Sequence, residues 1–274
     1  MRRLRLVRAP VVTGVVLAVT ATTSIAQFYV PGMLEAWQRT PQGLHGQVWR
    51  TFTALLVQDG GVVGTLSNLA FLLILGVLAE QVVRRWQWLI CYLGAGLVGE
   101  LAGYAWQPDG AGNSVAVCGL AGALVVALWT QHPFAPRPTP LLVAWWCGLL
   151  LASQWLWPGV VLLVAASVLT PRMPTRGLLV GRAAAVVAAV VAVALVAAEN
   201  VHGAALAAGI VLAALVVRAA RPVQATVGRR TRRIGSGRSS SSSRNLKNSL
   251  SASWRVHTVL VFAPAPPSAC GVSR

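Results

Sequence analysis

The sequence predicts an all-α, polytopic membrane helix bundle, and three observations carry that prediction. Hydrophobic residues make up 56% of the 274 and charged residues 11%, with a mean hydropathy of +0.66, which is too apolar for a soluble domain of this size. Apolar stretches long enough to span a bilayer recur along the chain, rich in Ala, Val, Leu and Gly, without the polar–apolar alternation of a membrane barrel. The positive charge is concentrated at the ends: of 23 Lys and Arg, eleven lie from Arg218 onward and four within the first eight residues. Short flanks rich in Lys and Arg are retained in the cytoplasm, so both termini are expected there, in an integral protein of the plasma (cytoplasmic) membrane. The net charge of +17 therefore reads as a retention signal with affinity for anionic lipid rather than as nucleic-acid recognition.

Taken in order, residues 1–10 form a basic cytoplasmic leader, and the apolar run 11–26 reads as a first span. Its ending, Ser24-Ile25-Ala26-Gln27, also has the small-residue pattern of a signal-peptide cleavage site. A long external segment, 28–61, precedes a helix over 62–83 that stops at Arg84-Arg85. A third helix, 86–106, carries Gly94, Gly96, Gly99 and Gly103 at near-helical spacing, which lets neighbouring backbones approach. The Gly-rich external loop 107–113 leads into a helix that starts near Ser114 and ends before His132; Pro133, Pro136, Arg137 and Pro138 then mark a cytoplasmic connection. Residues 141–169 are apolar but broken by Ser153, Gln154 and Pro158, which predicts a hairpin of two short helices. Parity agrees, because Arg172, Arg176 and Arg182 place the next loop inside, so this stretch must enter and leave by one face. Residues 183–198 then run outward, 199–202 turn, and 203–217 return, giving eight crossings or six plus a re-entrant hairpin. The transmembrane domain is thus 11–217, and the basic, Ser-rich segment 218–274 is expected to be a disordered cytoplasmic tail.

Few residues could carry chemistry. Cys91, Cys118, Cys147 and Cys270 are scattered, with no pairing or zinc-type spacing, and no metal or organic cofactor is implied. The acidic residues are Glu35, Asp59, Glu80, Glu100, Asp109 and Glu199. Only Glu100 falls well inside a span, where an ionised carboxylate is costly, and it is the one feature a small-molecule or ion transporter could use. His45, His132 and His257 fall in loops or tail, whereas His202 abuts a span and is followed by small residues up to Gly209. Taken alone, a histidine at a membrane edge is most simply a hydrogen-bonded structural residue. Gly112-Asn113-Ser114 runs from a flexible loop into a helix start, where unpaired N–H groups and the macrodipole can stabilise an anion. The plainer alternative is an N-cap serine. Ser114 and His202 both open inward helices, which puts them on one non-cytoplasmic face.

From Trp49 to Gly209 the chain resembles the rhomboid intramembrane serine proteases. The family's Gly-x-Ser at a helix start, with two later glycines, is matched by Gly112-Asn113-Ser114, Gly119 and Gly122. Its histidine with a glycine seven positions on is matched by His202 and Gly209, its first-loop Trp-Arg by Trp49-Arg50, and its Gly-x-x-x-Glu by Gly76 and Glu80. The resemblance implies a six-helix core plus an extra hairpin, and a Ser-His dyad without a third acid, with Ser114 as nucleophile and His202 as general base. It assigns the oxyanion to the Ser114 backbone N–H and Asn68. The activity implied is endoproteolysis of transmembrane protein substrates; a pseudoprotease that binds transmembrane helices is the alternative. Two positions depart from the pattern. Gly64 stands where the family has a histidine four residues before its asparagine, and Val115 stands where a glycine follows the nucleophile. Ser114 and His202 are also 88 positions apart, more than the family core needs, and the 141–169 hairpin accounts for the excess. Oligomeric state and the natural substrate are not legible.

Overall fold

The computed structural model describes residues 8–169 and 178–235, and among them it is helical, with one isolated antiparallel bridge between Arg39 and Gly110. The long helices are α1 (Val11–Ala26), α2 (Gly61–Val82), α3 (Arg85–Trp106), α4 (Ser114–Trp129), α5 (Thr139–Gln154), α6 (Leu156–Leu169), α7 (Leu178–Ala197) and α8 (Val201–Gly235). Among the described residues α2, α3, α7 and the 201–219 stretch of α8 are long and apolar enough to cross a membrane; α1, α4, α5 and α6 are apolar but shorter. The chain divides at Val227 and Gly228 into two units, and the bundle lies in the first.

α4 is the centre of the bundle. Its sequence is apolar all round, with no stripe left for solvent, and every residue from Val115 to Leu128 is buried. Lipid-facing apolar side chains lie on the outer helices instead, such as Val63 and Leu66 on α2 and Val190 and Val193 on α7. α4 and α8 cross closely, backbone to backbone. A Cβ on Gly122 would stand 2.5 Å from the backbone of Gly209 and Ile210, and one on Gly209 would stand 2.6 Å from Gly119 Cα. Backbones this close require glycine on both sides. A π-helical turn at Ile90–Gly94 interrupts α3, and the Cys91 carbonyl within it packs directly on Gly119.

α1 runs antiparallel to α2. The Glu80 carboxylate accepts the α1 backbone N–H groups of Val12 (3.2 Å) and Thr13 (2.8 Å), which α-helix geometry leaves without intrahelical partners. One turn earlier, a Cβ on Gly76 would stand 2.6 Å from Thr13 Cγ2, so the Gly-x-x-x-Glu spacing both admits α1 and caps it. The 27–60 linker docks through Arg39, which is 3% exposed and pairs with Glu100 of α3. Arg39 also donates to the Gln107 carbonyl from Nη2 (2.8 Å) and Nε (3.2 Å), and its guanidinium fills the space beside Gly103. Glu100, whose carboxylate would be costly alone inside a span, is therefore paired.

The helix boundaries differ from the sequence-based ones by a few residues, with one exception. α8 continues through Pro222 to Gly235, where a disordered tail was expected from residue 218; Ala, Arg and Gln in this run favour helix. The expected disorder of 236–274, most of the basic leader, and Arg172 and Arg176 lie outside the described residues. The hairpin breaks at the extended Trp155, leaving Pro158 in the first turn of α6, where its missing N–H costs nothing.

Arg39→Met strands Glu100 in the interior and is expected to cost about 3–5 kcal/mol, measured as a lowered unfolding midpoint in detergent. Adding Glu100→Leu should restore most of that loss. An Arg39→Met protein as stable as wild type would contradict this account of the linker.

Candidate active site

Ser114 and His202 open α4 and α8, and the structure brings Ser114 Oγ to 3.0 Å from His202 Nε2. The glycine crossing sets this distance, because Gly119 and Gly122 lie five and eight residues beyond Ser114 and Gly209 lies seven beyond His202. Two helices pinned at one level and equally long above it present their first residues to each other. Ser114 is not a capping residue. Asn113 occupies the N-cap of α4, and the Ser114 hydroxyl is directed to the histidine rather than to its own helix.

His202 is held by Asn200, a residue the sequence reading passed over. Asn200 is the N-cap of α8: its Oδ1 accepts the His202 backbone N–H (2.9 Å), as a capping asparagine does at the second helical position. The same oxygen lies 3.1 Å from His202 Nδ1. Since that atom is an acceptor, Nδ1 carries the proton, and Nε2 offers its lone pair to Ser114. Asn200 is fixed in turn by donating from Nδ2 to Gln154 Oε1 at 3.1 Å. Gln154 ends α5, so the tip of the hairpin reaches the level of the dyad. Glu199, the residue before Asn200, is exposed and supplies the turn's positive φ of 54°.

Asn68 comes from α2. Its Nδ2 donates to Gln58 Oε1 at 2.7 Å, and Gln58 Nε2 donates to Asn113 Oδ1 at 3.0 Å. Gly112 has φ +153°, and a Cβ there would lie 3.3 Å from Ser114 Oγ, 3.4 Å from Gln58 Oε1 and 3.5 Å from Asn68 Nδ2. Glycine is thus needed for both its backbone angle and the space it leaves. The Ser114 backbone N–H, in the first turn of α4, has no intrahelical partner.

The two departures have different consequences. Val115 is helical and buried, and its Cγ1 occupies the place a side chain on Gly99 would take, so the branched residue is absorbed by a glycine on α3. Gly64 has open space where its Cβ would be, and no other donor fills that position. Trp49 is half exposed and Arg50 bonds only within the linker, to Gln47, Glu35 and Gln38, so this pair shapes the loop rather than the dyad. Among the described residues no cluster could hold a metal ion. An apolar groove of about 860 Å³ lies apart from the site, between α4, α7 and α8 at the opposite end, bordered by Trp129 and Arg218.

The family model described as "Rhomboid domain" matches residues 45–160, a span that includes Trp49, Arg50, Asn68, Ser114, Gly119 and Gly122 and ends before His202. No curated protein and no solved structure matches the chain. Residues 45–160 thus match a Rhomboid domain, within a chain whose described residues form an all-helical, membrane-type bundle.

Proposed function

We propose that the protein is an intramembrane serine endopeptidase that cleaves other transmembrane proteins with Ser114 and His202. The observation that carries this is the 3.0 Å approach of Ser114 Oγ to the unprotonated nitrogen of His202. A serine hydroxyl is a poor nucleophile until a base takes its proton, and this contact supplies the base. On attack, Oγ bonds to the substrate carbonyl carbon while His202 Nε2 takes the hydroxyl proton, and Asn200 Oδ1 stabilises the resulting imidazolium through Nδ1–H. The carbonyl oxygen becomes an oxyanion, with the Ser114 N–H and Asn68 Nδ2 as its donors. Collapse breaks the C–N bond, with His202 returning the proton to the leaving amine, and water then hydrolyses the acyl-enzyme by the same route.

The charge distribution supports placing the dyad on the non-cytoplasmic side. Arg84, Arg85, Arg137 and Arg182 lie at helix ends remote from it, as does Arg8 beside Gln81. A substrate helix keeps its peptide groups hydrogen-bonded, so it must unwind locally before attack, which favours Gly, Pro or small residues near that face. Transport would rest on Glu100, and its pairing with Arg39 makes it a structural group instead.

Purified wild-type protein in liposomes should cleave a reporter transmembrane substrate, with both Ser114→Ala and His202→Ala reduced to background. Capture of such substrates without cleavage by wild type would favour the pseudoprotease reading instead. Asn200→Ala frees the imidazole to rotate and change tautomer, so kcat should fall about 10- to 100-fold with KM little changed. Gln154→Ala, acting one step further out, should cost less; a Gln154→Ala loss larger than that of Asn200→Ala would contradict the order of this chain.

A further inference from the structure

We infer that Gln58 is a positioning residue for the oxyanion donor Asn68, and that it makes up for the histidine absent at position 64; this rests on the proteolytic reading above. Gln58 is 1% exposed, and every polar atom of it is engaged. Its backbone is clasped by the end of α1, where its N–H donates to Gln27 Oε1 (2.8 Å) and Gln27 Nε2 donates to its carbonyl (2.7 Å). Its side-chain Nε2 donates to Asn113 Oδ1 (3.0 Å) and reaches Ser24 Oγ (3.4 Å), which leaves Oε1 at the other end of the amide to accept from Asn68. A planar amide held by acceptors at its nitrogen end has its oxygen fixed in direction.

Asn68 Nδ2 carries two N–H groups. One is committed to Gln58; the other has no partner among the described residues. The Gly112 cradle brings Asn68 Nδ2, Gln58 Oε1 and Ser114 Oγ around a single point, so Gln58 holds the donor at the nucleophile. In the family pattern, a histidine one helical turn from Asn68 would share the oxyanion. Here that position is Gly64, with open space where its Cβ would be, and Asn68, left as the side-chain donor beside the Ser114 N–H, depends on how well it is aimed. Gln58 supplies the aim from outside α2, and through Asn113 it ties that aim to the N-terminus of the helix that carries Ser114.

The test is a kinetic cycle on full-length protein in liposomes with the reporter substrate, alongside Ser114 labelling by a fluorophosphonate and thermal unfolding. Gln58→Leu should lower kcat and labelling rate about 10- to 100-fold while KM stays within about threefold, since orientation of one oxyanion donor is lost. Asn68→Ala should cost as much or more, and the double variant should be no worse than Asn68→Ala alone, because the two act as one unit. Gly64→His, which has room for its side chain, should recover at least tenfold in the Gln58→Leu background. Gln58→Asn, which keeps a polar group but withdraws it from Asn68, covers the case in which leucine prevents folding, and should show the same loss. Multiplying losses for Gln58 and Asn68, or full kcat in a Gln58→Leu or Gln58→Asn protein, would overturn the assignment. Wild type that neither cleaves nor labels overturns the proteolytic reading itself, and the Gln58 role falls with it.

Discussion

Gly122 carries no side chain because the backbone of Gly209 and Ile210 occupies the space one would need, and Gly209 is held to the same condition by Gly119. That contact fixes how far apart the two helices can be, and the site inherits the distance. In a bilayer there is no hydrophobic drive to press helices together, so close packing of small residues has to supply the attraction through dispersion. A methyl group at the crossing would wedge α4 from α8 and move Ser114 away from His202, although neither residue would have changed. The separation of Ser114 and His202 is therefore set mainly by residues one to two turns below them.

A second layer of constraint holds the backbone around the pair. Asn200 uses one oxygen to cap α8 and to orient the imidazole, so the strength of the helix start and the tautomer of the histidine are the same interaction. Arg39 and Glu100 do comparable work for the linker. A buried ion pair is seldom a net gain over apolar residues, because both charges lose their hydration. Its value lies in specificity: Arg39 also closes the bridge with Gly110 and takes two bonds to the Gln107 carbonyl, so the loop that leads to Gly112 and Ser114 has one place to sit.

Sequence pattern made the helices legible because each apolar run has a clear polar or glycine boundary, and Ser114 and His202 were legible because each begins such a run. The orienting groups were harder. Arg39 and Glu100 are 61 positions apart, Gln58 and Asn113 are 55, and Asn200 and Gln154 are 46, so nothing local records these pairings. Asn200 did leave a signal, an asparagine two residues before the histidine at a helix start, which is an N-cap signature. Nothing local to Val115 records the Gly99 on α3 that makes room for its branched side chain.

The α5–α6 hairpin shows why a helix pair between Ser114 and His202 need not separate them. Any extra segment between Ser114 and His202 must cross the bundle an even number of times, or the two residues finish a membrane thickness apart. A helix pair satisfies that automatically, and this one is tightly closed, with Gly159 against the Ala152 backbone and Gly148 against Leu163. α5 spans about 24 Å at 1.5 Å per residue, the same rise as α4, which has equal length. It starts near the inner end of α4 and finishes at Gln154, beside Asn200. The hairpin thus returns the chain to the side it left, and its apex becomes a support for the residue that holds the histidine.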